Sequence, residues 1–269
     1  MSKAVLVDLT RCMGCRACQV ACKAWNDNPG EETDCSGTYE NPPELSGDTW
    51  TLIKFDEVEE ATGRLHWVFT KQQCMHCQHP ACVSACPVTA LHKLENGPVV
   101  YEAERCIGCR YCMMACPFHI PKIHWDRTLP LIKKCTFCAD RIEQGLEPAC
   151  VKACPTDALV FGEREDLIAD AEARISARPG EYVNHIYGQY EAGGTSWMYL
   201  SPVDFDQLWF PKSDELGTDP VPELSQAVAE VGTPSMLAGV AALLAGVYWA
   251  TKRRQEAEVR SSASEQEEG

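Results

Sequence analysis

Apolar and polar positions change rhythm several times along the chain. Residues 4–7 (AVLV) and 158–161 (ALVF) are continuous apolar runs, short and rich in β-branched or large side chains, as a buried strand requires. The two are expected to pair as closing strands. Between Cys86 and Cys106 the stretch PVTALHKLENGPVVYEAER reads as a short helix-like segment, an Asn96-Gly97 turn and a strand at Val99, Val100 and Tyr101. Residues 28–47 form a polar loop. Further on, TPSMLAGVAALLAGVYWAT at 233–251 carries no charge, and as a helix it would span about 28 Å, enough to cross a bilayer core. All its faces are apolar or small, which favours a spanning helix over an amphipathic one. Tyr248 and Trp249 occupy an interfacial position, and Lys252, Arg253 and Arg254 follow at once, whereas Asp214, Glu215, Asp219, Glu223 and Glu230 precede the span. The basic end is expected in the cytoplasm, with the bulk of the chain on the opposite face. Ser235, Gly239, Ala242 and Gly246 make a small-residue stripe suited to packing against another membrane helix. The tail at 252–269 is polar and expected to be disordered and cytoplasmic.

Composition adds one anomaly. With 269 residues, 45% hydrophobic and 23% charged, the chain is globular in type, which excludes wholesale disorder and collagen-like structure. The net charge of −15 leaves nothing to collect polyanions, so no nucleic acid is expected as a partner. Seventeen cysteines are far more than usual, yet MSKAVLVDLT has no apolar signal region, so an extracellular disulfide framework is not expected.

All but Cys35 fall into four quartets, each ending in C-x3-C. Cys12, Cys15, Cys18 and Cys22, and again Cys106, Cys109, Cys112 and Cys116, follow C-x2-C-x2-C-x3-C. Cys74, Cys77, Cys82 and Cys86 open the middle gap to four residues; Cys135, Cys138, Cys150 and Cys154 open it to eleven. Proline follows the last cysteine at Pro87, Pro117 and Pro155, and Lys23 takes that place in the first quartet. This is the bacterial ferredoxin run, in which three thiolates hold one 4Fe-4S cube and the fourth reaches a second cube. Three sulfurs within seven residues let a tight loop wrap three corners, with Gly14 and Gly108 giving backbone freedom, and proline turns the departing chain away. Tetrahedral zinc has no use for a third cysteine at that spacing, and C-x2-C disulfides are reactive pairs, not frameworks. Four 4Fe-4S clusters are therefore expected.

Exchange of fourth ligands makes the quartets work in pairs. The connector at 87–105 is that of a two-cluster ferredoxin, so Cys74, Cys77, Cys82 and Cys116 would share one cube and Cys106, Cys109, Cys112 and Cys86 another. By exclusion Cys12, Cys15, Cys18 and Cys154 would hold a third, and Cys135, Cys138, Cys150 and Cys22 the fourth. The expected fold is α+β: two intertwined bacterial two-cluster ferredoxin-like modules plus one C-terminal transmembrane helix. The first module would comprise 1–22 and 134–190, and the second 74–133. A connecting insertion would occupy 23–73, an extended linker 191–232, the membrane helix 233–251 and the tail 252–269.

The motifs CMGCRACQVACKAWND at 12–27, CMHCQHPACVSACP at 74–87, CIGCRYCMMACPFHIPK at 106–122 and KCTFCADRIEQGLEPACVKACPTDALVFG at 134–162 carry a resemblance. With Gly193-Gly194-Thr195, Met198-Tyr199 and the terminal apolar span, the chain over about 1–251 resembles the four-cluster iron-sulfur subunits of molybdenum or tungsten bis-pterin oxidoreductases, above all the β subunit of membrane-bound formate dehydrogenase. Some relatives replace a ligand with Trp and carry a 3Fe-4S cluster; here all sixteen positions are Cys. The resemblance implies a non-catalytic wire in the cytoplasmic (inner) membrane, single-pass, relaying electrons from the catalytic subunit to a cytochrome b or other quinone-reactive subunit. It also implies export of the folded cluster domain to the periplasm together with a catalytic partner that bears the signal. Polysulfide, dimethyl sulfoxide or nitrite reductases and hydrogenases would use a similar wire, so the catalytic partner stays open. Cys35 lies where the chain departs from the family pattern and reads as an incidental thiol.

The rest offers tuning, not catalysis. Lys133, Lys134 and Arg141 flank the fourth quartet, where a cation would raise a cluster potential. The histidines His66, His76, His79, His92, His119, His124 and His185 read as surface or core residues, and Trp25, Trp67, Trp125 and Trp197 as packing over clusters or filling a small core. No P-loop, Rossmann glycine pattern or Ser-His-Asp arrangement stands out.

Overall fold

Strand β1 (Lys3–Asp8) is the axis of the largest sheet, pairing antiparallel with β8 (Leu159–Glu163) and parallel with β9 (Trp197–Leu200). The expected pairing of the two apolar runs is present, with Val5 opposite Phe161 and Val7 opposite Leu159. The computed structural model describes residues 2–34, 37–60, 63–125, 131–221 and 231–267, with the backbone alone beyond 257. Cys35 lies outside the described residues.

The runs are continuous because both faces of this sheet are covered. Ala4, Leu6, Met198 and Leu200 pack with Leu167, Ile168 and Ala171 of α6 (Arg164–Ala177). Val5, Val7, Trp197 and Tyr199 face the main core, among Phe137 and several cysteines. Glu165 and Asp166 open α6 where the helix dipole favours anions. At its far end Arg174 donates to Asp170 at 2.7 Å and to the buried Asp8 at 3.1 Å, and Tyr182 and Thr10 also donate to Asp8.

The segment after Cys86 differs from the expected helix-like reading. Residues Leu91–Lys93 form β4, paired with β5 (Val99–Tyr101) in a hairpin. Thr89 turns left-handed (φ 54°), Cys86 Sγ accepts from Ala90 N at 3.2 Å, and Leu91 and Val99 then bury together beside Cys82, Cys112, Ile123 and Ile132. Two-residue alternation with a partner strand outweighs local helix propensity here. The insertion at 23–73 carries a long hairpin, β2 (Leu52–Glu59) against β3 (Leu65–Gln72). A short ladder joins β6 (Lys122–Ile123) to β7 (Ile132–Lys133).

Two further expectations are corrected. Residues 191–221 are not a bare linker: β9 completes the central sheet, and Val203, Phe205, Leu208 and Phe210 lie in the main core around Tyr187 and Tyr199. Aromatic burial recruits this stretch, which lacks the long apolar run that would announce it. The second compact unit, 223–269, holds α7 (Thr233–Glu267), which extends past residue 251 where a disordered tail was expected. Gln, Glu, Ala and Arg in that tail are strong helix formers that continue a helix already nucleated. Residues Thr233–Ala257 are long and apolar enough to cross a membrane.

Candidate metal centres

Each cysteine loop is bent by left-handed backbone and then feeds a short helix. Gly14 (φ 66°) and Arg16 (φ 59°) precede α1 (Ala17–Trp25), and Gly108 (φ 69°) and Arg110 (φ 66°) precede α3 (Tyr111–Ala115) in the same pattern. His76 bends the second loop ahead of α2 (Ala81–Ser84). Phe137 and Cys138 bend the fourth, ahead of α4 (Ala139–Glu143) and α5 (Ala149–Lys152). Such turns aim backbone N–H groups at sulfur: Gly108 N donates to Cys106 Sγ at 3.4 Å and Phe137 N to Cys135 Sγ at 3.3 Å.

Helix packing brings distant cysteines together. α1 lies against α5, and α2 against α3. Cys22, from the first quartet, lines a small cavity with Cys135, Cys138 and Cys150 of the fourth, walled by Thr51, Phe137 and Trp197. Cys86 lines another with Cys106, Cys109 and Cys112, walled by Leu91, Tyr101 and Ile132. Cys154 and Cys15 act electrostatically on Cys12, and Cys150, Cys12 and Cys15 on Cys18. Cys77 is buried among Cys116, Cys74 and Cys82.

The donor chemistry fits iron-sulfur clusters. No disulfide joins any of the sixteen cysteines of the quartets, which leaves every sulfur available to iron. Burial pushes the Cys18 thiol up to about 12, against the opposing field of Lys71, and burial with the Cys74 charge drives Cys82 to about 12. Cys116 rises to about 11, again chiefly by burial. Thiolates crowded into an apolar interior are unfavourable without cations, and bound iron reverses that balance by holding each thiol deprotonated.

Of the cations expected near the fourth quartet, Lys134 is buried and donates to the carbonyls of Val99 and Cys135. Lys133 and Arg141 instead lie over the rings of Trp50 and Trp25. Sequence reasoning missed Lys71 and Lys93. Lys93 donates to Cys77 O at 2.8 Å and Gly97 O at 3.0 Å, and burial pulls it down to about 8. His76 is fully buried, accepts from Val99 N through Nδ1, and stacks on Phe137 at 4.9 Å, so it joins the second and fourth loops. Burial lowers its pKa well below the usual value, keeping it neutral. Trp197 is fully buried, whereas Trp25, Trp67 and Trp125 are exposed.

Models of a 4Fe-4S dicluster domain match residues 65–164 and 11–90. Over 221 residues the chain is 42% identical to the nitrate-inducible formate dehydrogenase iron-sulfur subunit of Escherichia coli (strain K12), covering 80% of this chain and 74% of that protein. It belongs to the family of formate dehydrogenase iron-sulfur subunits. The Haemophilus influenzae formate dehydrogenase iron-sulfur subunit is 41% identical over 79% of this chain and 70% of its own length. The Hydrogenase-2 operon protein HybA of Escherichia coli O157:H7 is 34% identical over 93% and 85%. As a member of this family the chain is an iron-sulfur electron-transfer subunit and not a catalytic one.

Proposed function

We propose that the chain is a four-cluster wire, joining a molybdenum or tungsten bis-pterin formate dehydrogenase subunit to a quinone-reactive cytochrome b in the cytoplasmic membrane. The observation that carries this reading is Cys22 in the cavity of Cys135, Cys138 and Cys150, because a ligand crossing between quartets is what paired ferredoxin cubes require. The ligand sets are Cys12, Cys15, Cys18 and Cys154; Cys22, Cys135, Cys138 and Cys150; Cys74, Cys77, Cys82 and Cys116; and Cys86, Cys106, Cys109 and Cys112. A 4Fe-4S cluster in each set supplies reversible one-electron transfer. In domain terms, 1–22 with 134–190 forms one module and 74–133 is inserted as the other, with 191–221 folded onto the first through β9.

Neighbouring thiols support a linear order. Cys18 is coupled to Cys150, Cys135 to Cys74, and Cys112 to Cys82, so the sets follow one another in the order just given. The two end sets contain the exposed thiols among the described residues, Cys15 and Cys109. Met13 and Val20 rim one end, and Ile107, Tyr111 and Met114 rim the other, all exposed, as surfaces for the two partner subunits would be. The basic residues Lys252, Arg253 and Arg254 after the span support a cytoplasmic C-terminus and a periplasmic cluster domain.

Electron paramagnetic resonance of the anaerobically purified complex tests the exchange. Cys86→Ser should perturb the same signal as Cys106→Ser, and Cys82→Ser a different one. If Cys86→Ser and Cys82→Ser perturb one signal in common, the exchange is wrong. The similarity to HybA favours a second reading, a hydrogenase as catalytic partner. Dye-linked assays of the purified complex separate the two, since the first expects formate oxidation and the second hydrogen oxidation.

A further inference from the structure

Lys71 is 1% exposed, near the end of β3, and its surroundings are unusual for an ammonium group. Nζ donates to Gln73 Oε1 at 2.9 Å and to Thr51 Oγ1 at 3.4 Å, and it lies 4.3 Å from the centre of the Trp197 ring. Among the described residues no carboxylate forms an ion pair with it. A buried cation is costly unless negative charge lies close. Here the candidates are sulfurs: Cys150, Cys18, Cys135 and Cys22 are the groups whose negative charge acts on Lys71.

Those four cysteines divide between two of the ligand sets proposed above. Cys18 belongs with Cys12, Cys15 and Cys154, and the other three with Cys138. Thr51 extends the contact, since its hydroxyl accepts from Lys71 and lies in the wall of the cavity that Cys22 lines. Trp197 and Thr51 both wall the cavity of Cys22, Cys135, Cys138 and Cys150, and the Trp197 indole N–H is buried without a protein acceptor. Lys93 and Lys134 differ, because their ammonium groups are spent on backbone carbonyls.

We propose that Lys71 is a shared counter-cation for the two clusters held by Cys12, Cys15, Cys18 and Cys154 and by Cys22, Cys135, Cys138 and Cys150, raising both reduction potentials, with Thr51 passing its influence to Cys22. Reduction adds one negative charge to a cluster, and a fixed neighbouring cation favours that state. Lys71 touches neither substrate nor iron; it is a positioning and tuning residue. The inference rests on the four-cluster reading.

The test is a potentiometric titration of the intact complex followed by electron paramagnetic resonance, with iron measured on the same samples. Lys71→Met keeps the length and removes the charge. It should lower the midpoints of two clusters by about 59 mV, a tenfold change in a one-electron equilibrium, and leave the other two in place. Lys71→Arg should restore the original values. Thr51→Val, which spares the ammonium, should lower only the midpoint of the signal perturbed by Cys22→Ser. Unmoved midpoints in an iron-replete Lys71→Met complex would overturn the proposal. If Lys71→Met loses iron, unmoved midpoints in Thr51→Val overturn it instead. Iron well under about sixteen per chain in the unaltered complex would fail the four-cluster reading itself, an outcome visible before any midpoint is read.

Discussion

Gly14 offers a quantitative check on how the first cysteine loop is held. Its φ of 66° lies in the left-handed region, and a Cβ added there would stand 2.9 Å from Cδ1 of Phe69 and 3.2 Å from Cε1 of Phe55. Left-handed backbone costs a residue with a Cβ about 1–2 kcal/mol. Forcing a methyl into a filled site adds about 1–3 kcal/mol. The rings cannot swing aside freely, because Phe69 packs on Phe55 at 5.2 Å and on Trp67 at 5.1 Å between centroids. Gly14→Ala should therefore favour the opened loop by about 2–5 kcal/mol, at least roughly 30-fold. Anaerobic guanidinium titration, with cluster absorbance and signal followed together, should show the cluster proposed for Cys12, Cys15 and Cys18 lost first and the others later. Gly14→Ala combined with Phe69→Leu should recover the steric part and leave the backbone part. A loss midpoint for Gly14→Ala within about 0.5 kcal/mol of the unaltered chain, the range of a neutral surface change, would refute the reasoning.

Acid should loosen the loop that covers α1. Burial raises the Glu31 carboxyl, but hydrogen bonds from Ser46, Thr49 and Lys23 overcome this and hold it below the ordinary 4.5. A depressed carboxylate stabilises the fold above about pH 4.5 and loses that contribution as pH falls through its folded value. Protection of the amides at 46–49, measured relative to their intrinsic exchange rates, should thus fall below pH 4.5, and Glu31→Gln should be weakly protected at neutral pH with no further acid loss; an unchanged acid loss in the variant would exclude Glu31 as its source. In the second unit, Leu243 is exposed mid-span, and an arginine at a helix centre costs about 2.5–3.5 kcal/mol on insertion scales. Leu243→Arg should shift the chain from the membrane to the soluble fraction with its iron intact, and full membrane retention would count against α7 as the anchor.

Features that depend on neighbours in the chain were legible from the sequence. Three cysteines within seven residues announce a thiolate loop because the wrapping is local, and the observed left-handed Gly14 and Gly108 are its direct expression. The pairing of β1 with β8 was also readable, since burial on both faces removes polar alternation and leaves an apolar run. An uncharged stretch long enough for a bilayer needs no tertiary information either. By contrast, Ala-Leu-His-Lys-Leu at 90–94 looks helical in isolation and becomes β4 only because β5 lies opposite. The stretch after residue 190 looks like a linker until β9 aligns with the first strand of the chain and Phe205 and Phe210 close over Tyr187. Nothing in Phe-Thr-Lys-Gln at 69–72 indicates that the lysine is buried. Its role was decided only when folding brought Thr51, Trp197 and cysteines from two loops around one ammonium group, because electrostatic coupling depends on distance in space and not on separation along the chain.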